Sequence, residues 1–194
     1  MTDETPAPSG SLHGQRVLLC VCGGIAAYKA AELVRRLRDA GAEVQVAMTE
    51  NAQRFVGAAT FQALSGRPVR TSLWDEAAEA AMGHIELARW ADRIVVAPAT
   101  ANTLAKLAHG FADDLVSTLC LASDAALFVA PAMNRLMWAH PATQANMATL
   151  RQRGAGVLGP GSGGQACGET GEGRLMEPVD IVAGLAATPL RGRP

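Results

Sequence analysis

The stretch RVLLCVCGGIAAYKAAELVRRLRDAGAEVQVAM, residues 16–48, decides the fold. Its continuous apolar run at residues 16–21 is typical of a buried strand. Apolar residues then recur at helical spacing from Ile25 to Leu37, and Gly41 ends that helix. A second apolar run follows at residues 43–48. Strand, helix and strand in this order predict a parallel pair joined by a right-handed crossover.

The same alternation continues along the rest of the chain. Apolar runs predict strands at residues 93–97 and 126–130, with a weaker one at 156–158. Helical patterns occupy residues 53–64, 102–109, 113–122, 141–153 and 178–187. We therefore predict an α/β fold, a three-layer Rossmann-like sandwich around a mostly parallel sheet.

The composition indicates one domain with a core of small aliphatic side chains. The chain has 194 residues, of which 49% are apolar and only 4% aromatic. Residues 1–14 and 188–194 are rich in Pro, Gly and polar residues, so we predict two tails around a domain at residues 15–187.

Charge and cysteine usage narrow the class of protein. The net charge is −1, with Lys and Arg scattered, so neither nucleic acid nor a membrane surface is an expected partner. The chain lacks a signal-like start, and we expect a cytoplasmic protein with free thiols. Cys20 and Cys22 lie on one face of the first strand, which favours buried apolar packing over a metal pair. We predict no metal site.

Ligands of open parallel sheets lie beyond the carboxyl ends of the strands. The loops predicted to contact a ligand are therefore residues 22–27, 48–52, 98–103, 131–138 and 159–174. After the first strand, Gly23 and Gly24 permit a tight turn, and with Ile25 and Ala26 they leave backbone N–H groups at a helix start for a phosphate. The pattern is neither a dinucleotide fingerprint nor a P-loop, and a purely structural turn explains it about as well.

Two further loops carry small polar side chains at strand ends. Thr49 can cap the helix after the second strand or offer its hydroxyl to a phosphate. Thr100 and Asn102 follow the third strand, where Asn102 can hydrogen-bond the polar edge of a flat ring. Helix capping is again the alternative. Polar loops at three successive strand ends favour a cofactor site over three coincidences.

Three segments carry a more specific signal: GHIEL at 83–87, PAMNRLMW at 131–138 and ACGETGEGRL at 166–175. Together they resemble the homo-oligomeric flavin-containing cysteine decarboxylases, over roughly residues 16–187. GGIAAYK at 23–29 and PATANTLAK at 98–106 are most similar to the branch that acts on 4'-phosphopantothenoylcysteine in coenzyme A biosynthesis. That branch normally continues into a CTP-dependent synthetase half, so we expect a truncated piece or a free-standing decarboxylase.

The resemblance implies FMN as cofactor and a redox route to decarboxylation. In that family FMN oxidises the cysteine moiety to a thioaldehyde, which gives the carboxylate an electron sink. Carbon dioxide leaves to give an enethiol, and the reduced flavin returns the electrons to give 4'-phosphopantetheine.

The resemblance also implies roles for individual residues. His84 assists the oxidation as a base or as a ligand of the reacting groups. Asn134 donates to the substrate carboxylate, and Cys167, on a glycine-rich mobile flap, donates the proton in the final reduction. Met133 suits a neighbour of the flavin. Substrate contacts are expected from Ala166 and Met137, although plain core packing is the alternative for Met133 and Met137. Lys29, Lys106 and Arg174 are candidates for the substrate phosphate.

The resemblance also implies a homo-oligomer. Relatives form trimers, in some cases four trimers in a dodecamer, with FMN at the subunit interface, so His84 and part of the flavin pocket can come from different subunits.

Four alternative functions are compatible with parts of the sequence. They are a peptidyl-cysteine decarboxylase of lantibiotic maturation, a flavin prenyltransferase, a non-catalytic flavin-binding subunit and a generic Rossmann-like nucleotide-binding module. The intact set of His84, Asn134 and Cys167 disfavours the non-catalytic subunit.

Overall fold

A computed structural model describes residues 12–74 and 83–190. Five parallel strands form the main sheet in the order β2-β1-β3-β4-β5. They are β1 (Arg16–Val21), β2 (Glu43–Met48), β3 (Arg93–Ala99), β4 (Ala126–Pro131) and β5 (Gly156–Val157). The predicted parallel sheet is confirmed, with each predicted strand within two residues of its observed bounds.

Eight α-helices are found in the described ranges. They are α1 (Ala27–Asp39), α2 (Ala58–Ser65), α3 (His84–Trp90), α4 (Ala101–His109), α5 (Leu115–Leu121), α6 (Arg135–Ala139), α7 (Pro141–Gln152) and α8 (Pro178–Ala187). No helix in these ranges is both long and apolar enough to cross a bilayer.

Alternate residues of the central strands face two apolar cores, so the predicted three layers are present. Val17 and Leu19 of β1 belong to a core shared with α1, α2 and α8. Leu18 and Cys20 of the same strand belong to the opposite core, shared with α3, α4, α5 and α7. Cys22 joins this second core, so Cys20 and Cys22 pack as the buried side chains expected of them.

Two segments differ from the helical pattern read from the sequence. The helix predicted over residues 53–64 is instead a 3₁₀ turn at Glu50–Arg54 followed by α2. Thr49 caps the 3₁₀ turn, and Gly57 is extended, with ψ of 144°, so the helical hydrogen bonds restart only at Ala58. The segment containing His84 forms the short helix α3, which was not predicted. The helix has only seven residues, of which two are buried, and so few positions give no clear helical pattern in the sequence.

Contacts with the core extend beyond residues 15–187 at both ends. Leu12 is fully buried, and its N–H donates to the carbonyl of Ala40. The buried Arg93 donates to Gln15 Oε1 and to the carbonyl oxygen of Thr188, each at 2.6 Å. Burial lowers the pKa of Arg93, because a buried guanidinium loses its contact with water. The hydrogen bonds to the two acceptors offset part of that loss.

The glycine-rich segment after β5 folds into an antiparallel ribbon. Its strands are β6 (Gly161–Gly164) and β7 (Thr170–Arg174). We call residues 161–174 the flap. The sequence predicted that this segment lies outside the core, and the ribbon lies outside both cores. Its mobility stays a prediction.

Candidate active site

A cavity of about 1050 Å³ opens beyond the carboxyl ends of the strands. It lies where the sheet order reverses, because β1 and β3 are neighbours while the chain continues from β1 to β2 on one side and from β3 to β4 on the other. Such a reversal leaves the crevice in which doubly wound folds bind their ligands. The loops after β1, β2, β3 and β4 line the cavity together with the flap.

The cavity brings together nearly all of the residues proposed for the site. Its lining includes Gly23, Gly24, Ile25, Ala26, Lys29, Thr49, Thr100, Asn102, Lys106, Met133, Asn134, Met137, Ala166, Cys167 and Arg174. His84 is not among the lining residues. Among the described residues, no group of three or more His, Cys, Asp or Glu side chains is arranged to hold a metal ion.

The glycine turn after β1 is held against the neighbouring loop. A Cβ atom at Gly23 would lie 2.5 Å from Cβ and 2.6 Å from the carbonyl carbon of Asn51, so only glycine fits there. Gly24 has more room, since the nearest atom to an added Cβ is Thr100 Cγ2 at 4.0 Å. The close packing of the turn brings the loops after β1 and β2 together at one wall of the cavity.

Helix α1 begins at this turn without a side-chain cap. Ala26 occupies the N-cap position and has no side-chain oxygen that could accept a hydrogen bond. The N–H groups of Gly24 and Ile25 donate to no backbone carbonyl in the described part of the chain. An uncapped helix start with unpaired N–H groups in a cavity wall is suited to a phosphate.

The two threonines at strand ends are both helix caps. Thr49 Oγ1 accepts from the N–H of Ala52 at 3.3 Å, and Thr100 Oγ1 accepts from the N–H of Thr103 at 3.2 Å. Capping accounts for both residues, and their cofactor contacts stay predictions. Asn102 is different, because Thr100 supplies the cap of α4. The amide of Asn102 is exposed, lines the cavity, and has no hydrogen-bond partner among the described residues.

A thiol lies directly behind this wall. Thr103 Oγ1 donates to Cys22 Sγ at 3.3 Å, and burial raises the pKa of Cys22 to about 12. Cys22 is therefore a protonated packing residue, and the contact fixes the start of α4 against the end of β1.

The cationic side chains of the cavity are all paired. Lys29 Nζ lies 2.7 Å from Glu177 Oε1, and Arg174 Nη2 lies 3.4 Å from the same oxygen. The hydrogen bond from Lys29 lowers the pKa of Glu177. This cluster keeps one net positive charge at the cavity wall, which is consistent with an anionic ligand there.

Lys106 does not have the free charge expected of a phosphate ligand. Its Nζ contacts Asp113 at 2.9 Å and Asp114 at 2.7 Å, so one cation faces two carboxylates. Burial lowers the pKa of Lys106, but its hydrogen bonds to the two aspartates raise it more. Burial likewise opposes ionisation of Asp114, yet the hydrogen bonds from Lys106 and Ser117 lower its pKa overall. Lys106, Asp113 and Asp114 together carry one net negative charge at this wall, and a phosphate contact of Lys106 stays a prediction.

The predicted catalytic pair of the second half of the chain is in contact. Asn134 Nδ2 lies 3.5 Å from Cys167 Sγ and 2.6 Å from Glu169 Oε2. Asn134 Oδ1 accepts from the N–H of Leu136 at 2.8 Å, which makes Asn134 the N-cap of α6 and fixes the direction of its amide. The hydrogen bond from Asn134, with help from Arg135, lowers the pKa of Glu169.

The flap is docked on the loop after β4 by polar contacts. Gln165 accepts from the N–H of Arg135 at 3.0 Å and donates to the carbonyl of Met133 at 3.2 Å. Trp138 Nε1 donates to Glu172 Oε2 at 3.1 Å. Gly173 packs against the carbonyl oxygen of Met133 with a φ of 123°, where a side chain has no room. These contacts place Cys167 and Ala166 at the edge of the cavity.

Several site residues were not identified from the sequence. Glu169 and Gln165 link the flap to Asn134 and Arg135, and Glu177 pairs with Lys29. The first two lie in or beside the ACGETGEGRL segment, so their position in that motif was the available signal. Glu177 lies 148 residues from Lys29, and no local pattern reveals that pair.

Comparison with known proteins places the chain in a family. Residues 6–189 match the model of the family described as Flavoprotein. The chain belongs to the Flavoprotein family. Its match covers nearly all of the described residues, including every residue that lines the cavity.

Relatives and solved structures narrow the similarity. The flavoprotein is 56% identical over 173 residues to the coenzyme A biosynthesis bifunctional protein CoaBC of Vibrio vulnificus strain YJ016, covering 89% of this chain and 43% of that protein. The chain thus spans less than half the length of the curated relatives it matches.

Two solved structures are similar to most of this chain. A PPC decarboxylase cysteine-to-serine mutant complexed with pantothenoylaminoethenethiol has a TM-score of 0.78 at 34% identity, covering 88% of this chain and 96% of that one. The FMN-dependent cysteine decarboxylase SpaF has a TM-score of 0.75 at 32% identity, covering 92% and 100% respectively. The predicted family and fold are confirmed.

Proposed function

We propose that this flavoprotein binds FMN and decarboxylates 4'-phosphopantothenoylcysteine to 4'-phosphopantetheine and carbon dioxide, a step of coenzyme A biosynthesis. The observation that carries the proposal is the contact of Asn134 with Cys167 at the edge of the cavity. The names of the CoaBC relatives and of the PPC decarboxylase structure support the same reaction.

The residues of the cavity fit FMN. The uncapped start of α1 offers N–H groups to a phosphate, and the net positive cluster of Lys29, Arg174 and Glu177 lies at the same cavity. The unpaired amide of Asn102 is available to the polar edge of a flavin ring. The volume of about 1050 Å³ reaches the upper end of the range of ~300–1,000 Å³ typical of ligand sites, enough for a cofactor beside a substrate.

A carboxylate beside a saturated carbon bearing a thiol has no electron sink of its own. FMN, when bound, acts as a reversible electron acceptor and gives that carboxylate a temporary sink. Asn134 holds the carboxylate through a neutral amide, which orients it without the strong ground-state stabilisation that an arginine would give.

Cys167 supplies a proton at the end of the reaction. Its thiol lies at the open edge of the cavity beside Asn134, where a substrate bound by its carboxylate would place its sulfur-bearing carbons. The ligand in the PPC decarboxylase mutant, a pantothenoyl group on an aminoethenethiol, has the enethiol form of a decarboxylated cysteine, and it supports a proton transfer after the loss of carbon dioxide.

A direct assay tests the proposed function. We expect protein loaded with FMN to be yellow and to release carbon dioxide from 4'-phosphopantothenoylcysteine, as measured by mass spectrometry. A peptide with a C-terminal cysteine serves as the competing substrate, because the similarity to SpaF makes cysteine decarboxylation of another substrate the alternative. Protein that stays colourless after reconstitution, or that releases carbon dioxide only from the peptide, contradicts the proposal.

The position of His84 leads us to propose a shared site in a homo-oligomer, with a trimer as its unit and a dodecamer as a larger assembly. His84 begins α3 and does not line the cavity of its own chain. Ile25 and Tyr28 line that cavity while being 64% and 61% exposed. We propose that a second subunit covers these side chains and brings its own His84 to the cavity.

Sedimentation of the FMN-loaded protein tests this arrangement. We expect flavin absorbance to sediment with the oligomer and to be lost on dilution to monomers. Mixing His84→Asn subunits with Asn134→Ala subunits should restore part of the activity, because a mixed oligomer contains some intact sites. A monomer that keeps its flavin and its activity would exclude a site shared between subunits.

A further inference from the structure

The side-chain nitrogen of Asn134 contacts two groups of the flap. Its Nδ2 lies 2.6 Å from Glu169 Oε2 and 3.5 Å from Cys167 Sγ, while Oδ1 accepts from the N–H of Leu136. A substrate carboxylate that approaches this nitrogen meets the Glu169 carboxylate already held there, and the two negative charges repel each other. The shorter contact is to a group of the same kind, a carboxylate.

Glu169 has a second partner that can hold it when it leaves Asn134. Its Oε1 lies 3.1 Å from Arg135 Nη2, on the residue next to Asn134. The Glu169 side chain is 35% exposed, so leaving Asn134 does not strand a buried charge. Asn134 is thus shared between a resident carboxylate and an incoming one at low cost.

We propose that Glu169 occupies the carboxylate-binding amide of Asn134 in the ligand-free site and is displaced by the carboxylate of the substrate. This inference rests on the proposed function, since it takes Asn134 as the group that receives the substrate carboxylate. It adds a positioning residue, Glu169, that acts through Asn134 and through the flap.

The exchange orders the two halves of the reaction. While the substrate carboxylate occupies Asn134, Glu169 and the neighbouring Cys167 are held away from the amide. Once carbon dioxide has left, Asn134 loses its ligand and Glu169 returns. Cys167 lies two residues before Glu169 on the same turn of the flap, so it returns with Glu169 and reaches the position seen in the structure.

Two probes without sulfur separate binding from chemistry. 4'-Phosphopantothenoylalanine keeps the carboxylate, and the N-ethyl amide of 4'-phosphopantothenate lacks it; neither can be oxidised at a thiol. Each is titrated into the FMN-loaded protein and its Kd is measured by calorimetry. In Glu169→Ala we expect the alanine probe to bind about tenfold more tightly, because it no longer displaces a charge-assisted hydrogen bond. The N-ethyl probe should change by less than about twofold.

Matched variants separate this effect from damage to the flap. Glu172→Gln alters another flap carboxylate, which contacts Trp138 and not Asn134, and should leave the ratio of the two Kd values unchanged. Glu169→Gln should shift the ratio in the same direction by a smaller factor. In an Asn134→Ala background, Glu169→Ala should have no effect on the ratio.

The outcomes distinguish this inference from the proposed function. An unchanged ratio in Glu169→Ala, or equal weakening of both probes in Glu169→Ala and Glu169→Gln, overturns the role of Glu169 even when the wild-type protein turns over its substrate. A wild-type protein that releases no carbon dioxide from 4'-phosphopantothenoylcysteine overturns the proposed function instead.

Discussion

Cys167→Ser should release carbon dioxide at nearly the wild-type rate, while formation of 4'-phosphopantetheine falls by about 10²-fold or more. Cys167 is needed only after the carboxylate has gone, when the enethiol takes up a proton. A serine hydroxyl is a much weaker acid than a thiol, so the proton transfer slows and the enethiol accumulates. The contact of Cys167 with Asn134 places the substitution at the reacting atoms.

The measurement is a single turnover followed by mass spectrometry of the product and of carbon dioxide. Cys120→Ser is the matched control, because Cys120 lies on α5 and does not line the cavity. Formation of 4'-phosphopantetheine by Cys167→Ser at the wild-type rate is the result that excludes Cys167 as the proton donor.

Gly23→Ala should abolish FMN binding and lower the free energy of unfolding by about 1–3 kcal/mol. The added Cβ would lie 2.5 Å from Cβ of Asn51, so the loops after β1 and β2 must separate. That movement displaces the N–H groups at the start of α1, which are proposed to hold the phosphate. We therefore expect Gly23→Ala to be less stable and also unable to bind FMN.

Gly24→Ala provides the comparison at the adjacent position. The nearest atom to its Cβ is 4.0 Å away, so the free energy of unfolding of the apoprotein should change by less than about 1 kcal/mol. Urea titration of the apoproteins and flavin absorbance after reconstitution measure the two effects. Equal stability losses in both variants contradict the steric explanation.

Local patterns predicted the elements better than they predicted side-chain roles. The runs at 16–21 and 43–48 match β1 and β2, because an apolar strand covered on both faces needs no distant partner to be recognised. The loops after these strands could be picked out in advance, because ligands of such sheets bind at one known edge. A phosphate contact of Lys106 stays a prediction, and the sequence did not show that Asp113 and Asp114 pair with this lysine.

The motifs predicted which residues belong to the site, but not which contacts those residues make. PAMNRLMW and ACGETGEGRL pointed to Asn134 and Cys167, and the structure places them 3.5 Å apart. Nothing local to either segment indicated that Glu169 takes the amide of Asn134, because that contact depends on how the ribbon docks. His84 stood in an equally specific motif, yet it does not line the cavity of its own chain.

The sequence by itself determined the alternation of strands and helices, the edge of the sheet that carries the site, and the chemistry of its side chains. These follow from apolar periodicity, glycine placement and residue type, which are properties of neighbouring residues. The tertiary structure decided which charges are paired, which N–H groups stay free, and which carboxylate holds Asn134. Those depend on distances of a few ångströms between segments up to 148 residues apart, which only packing sets.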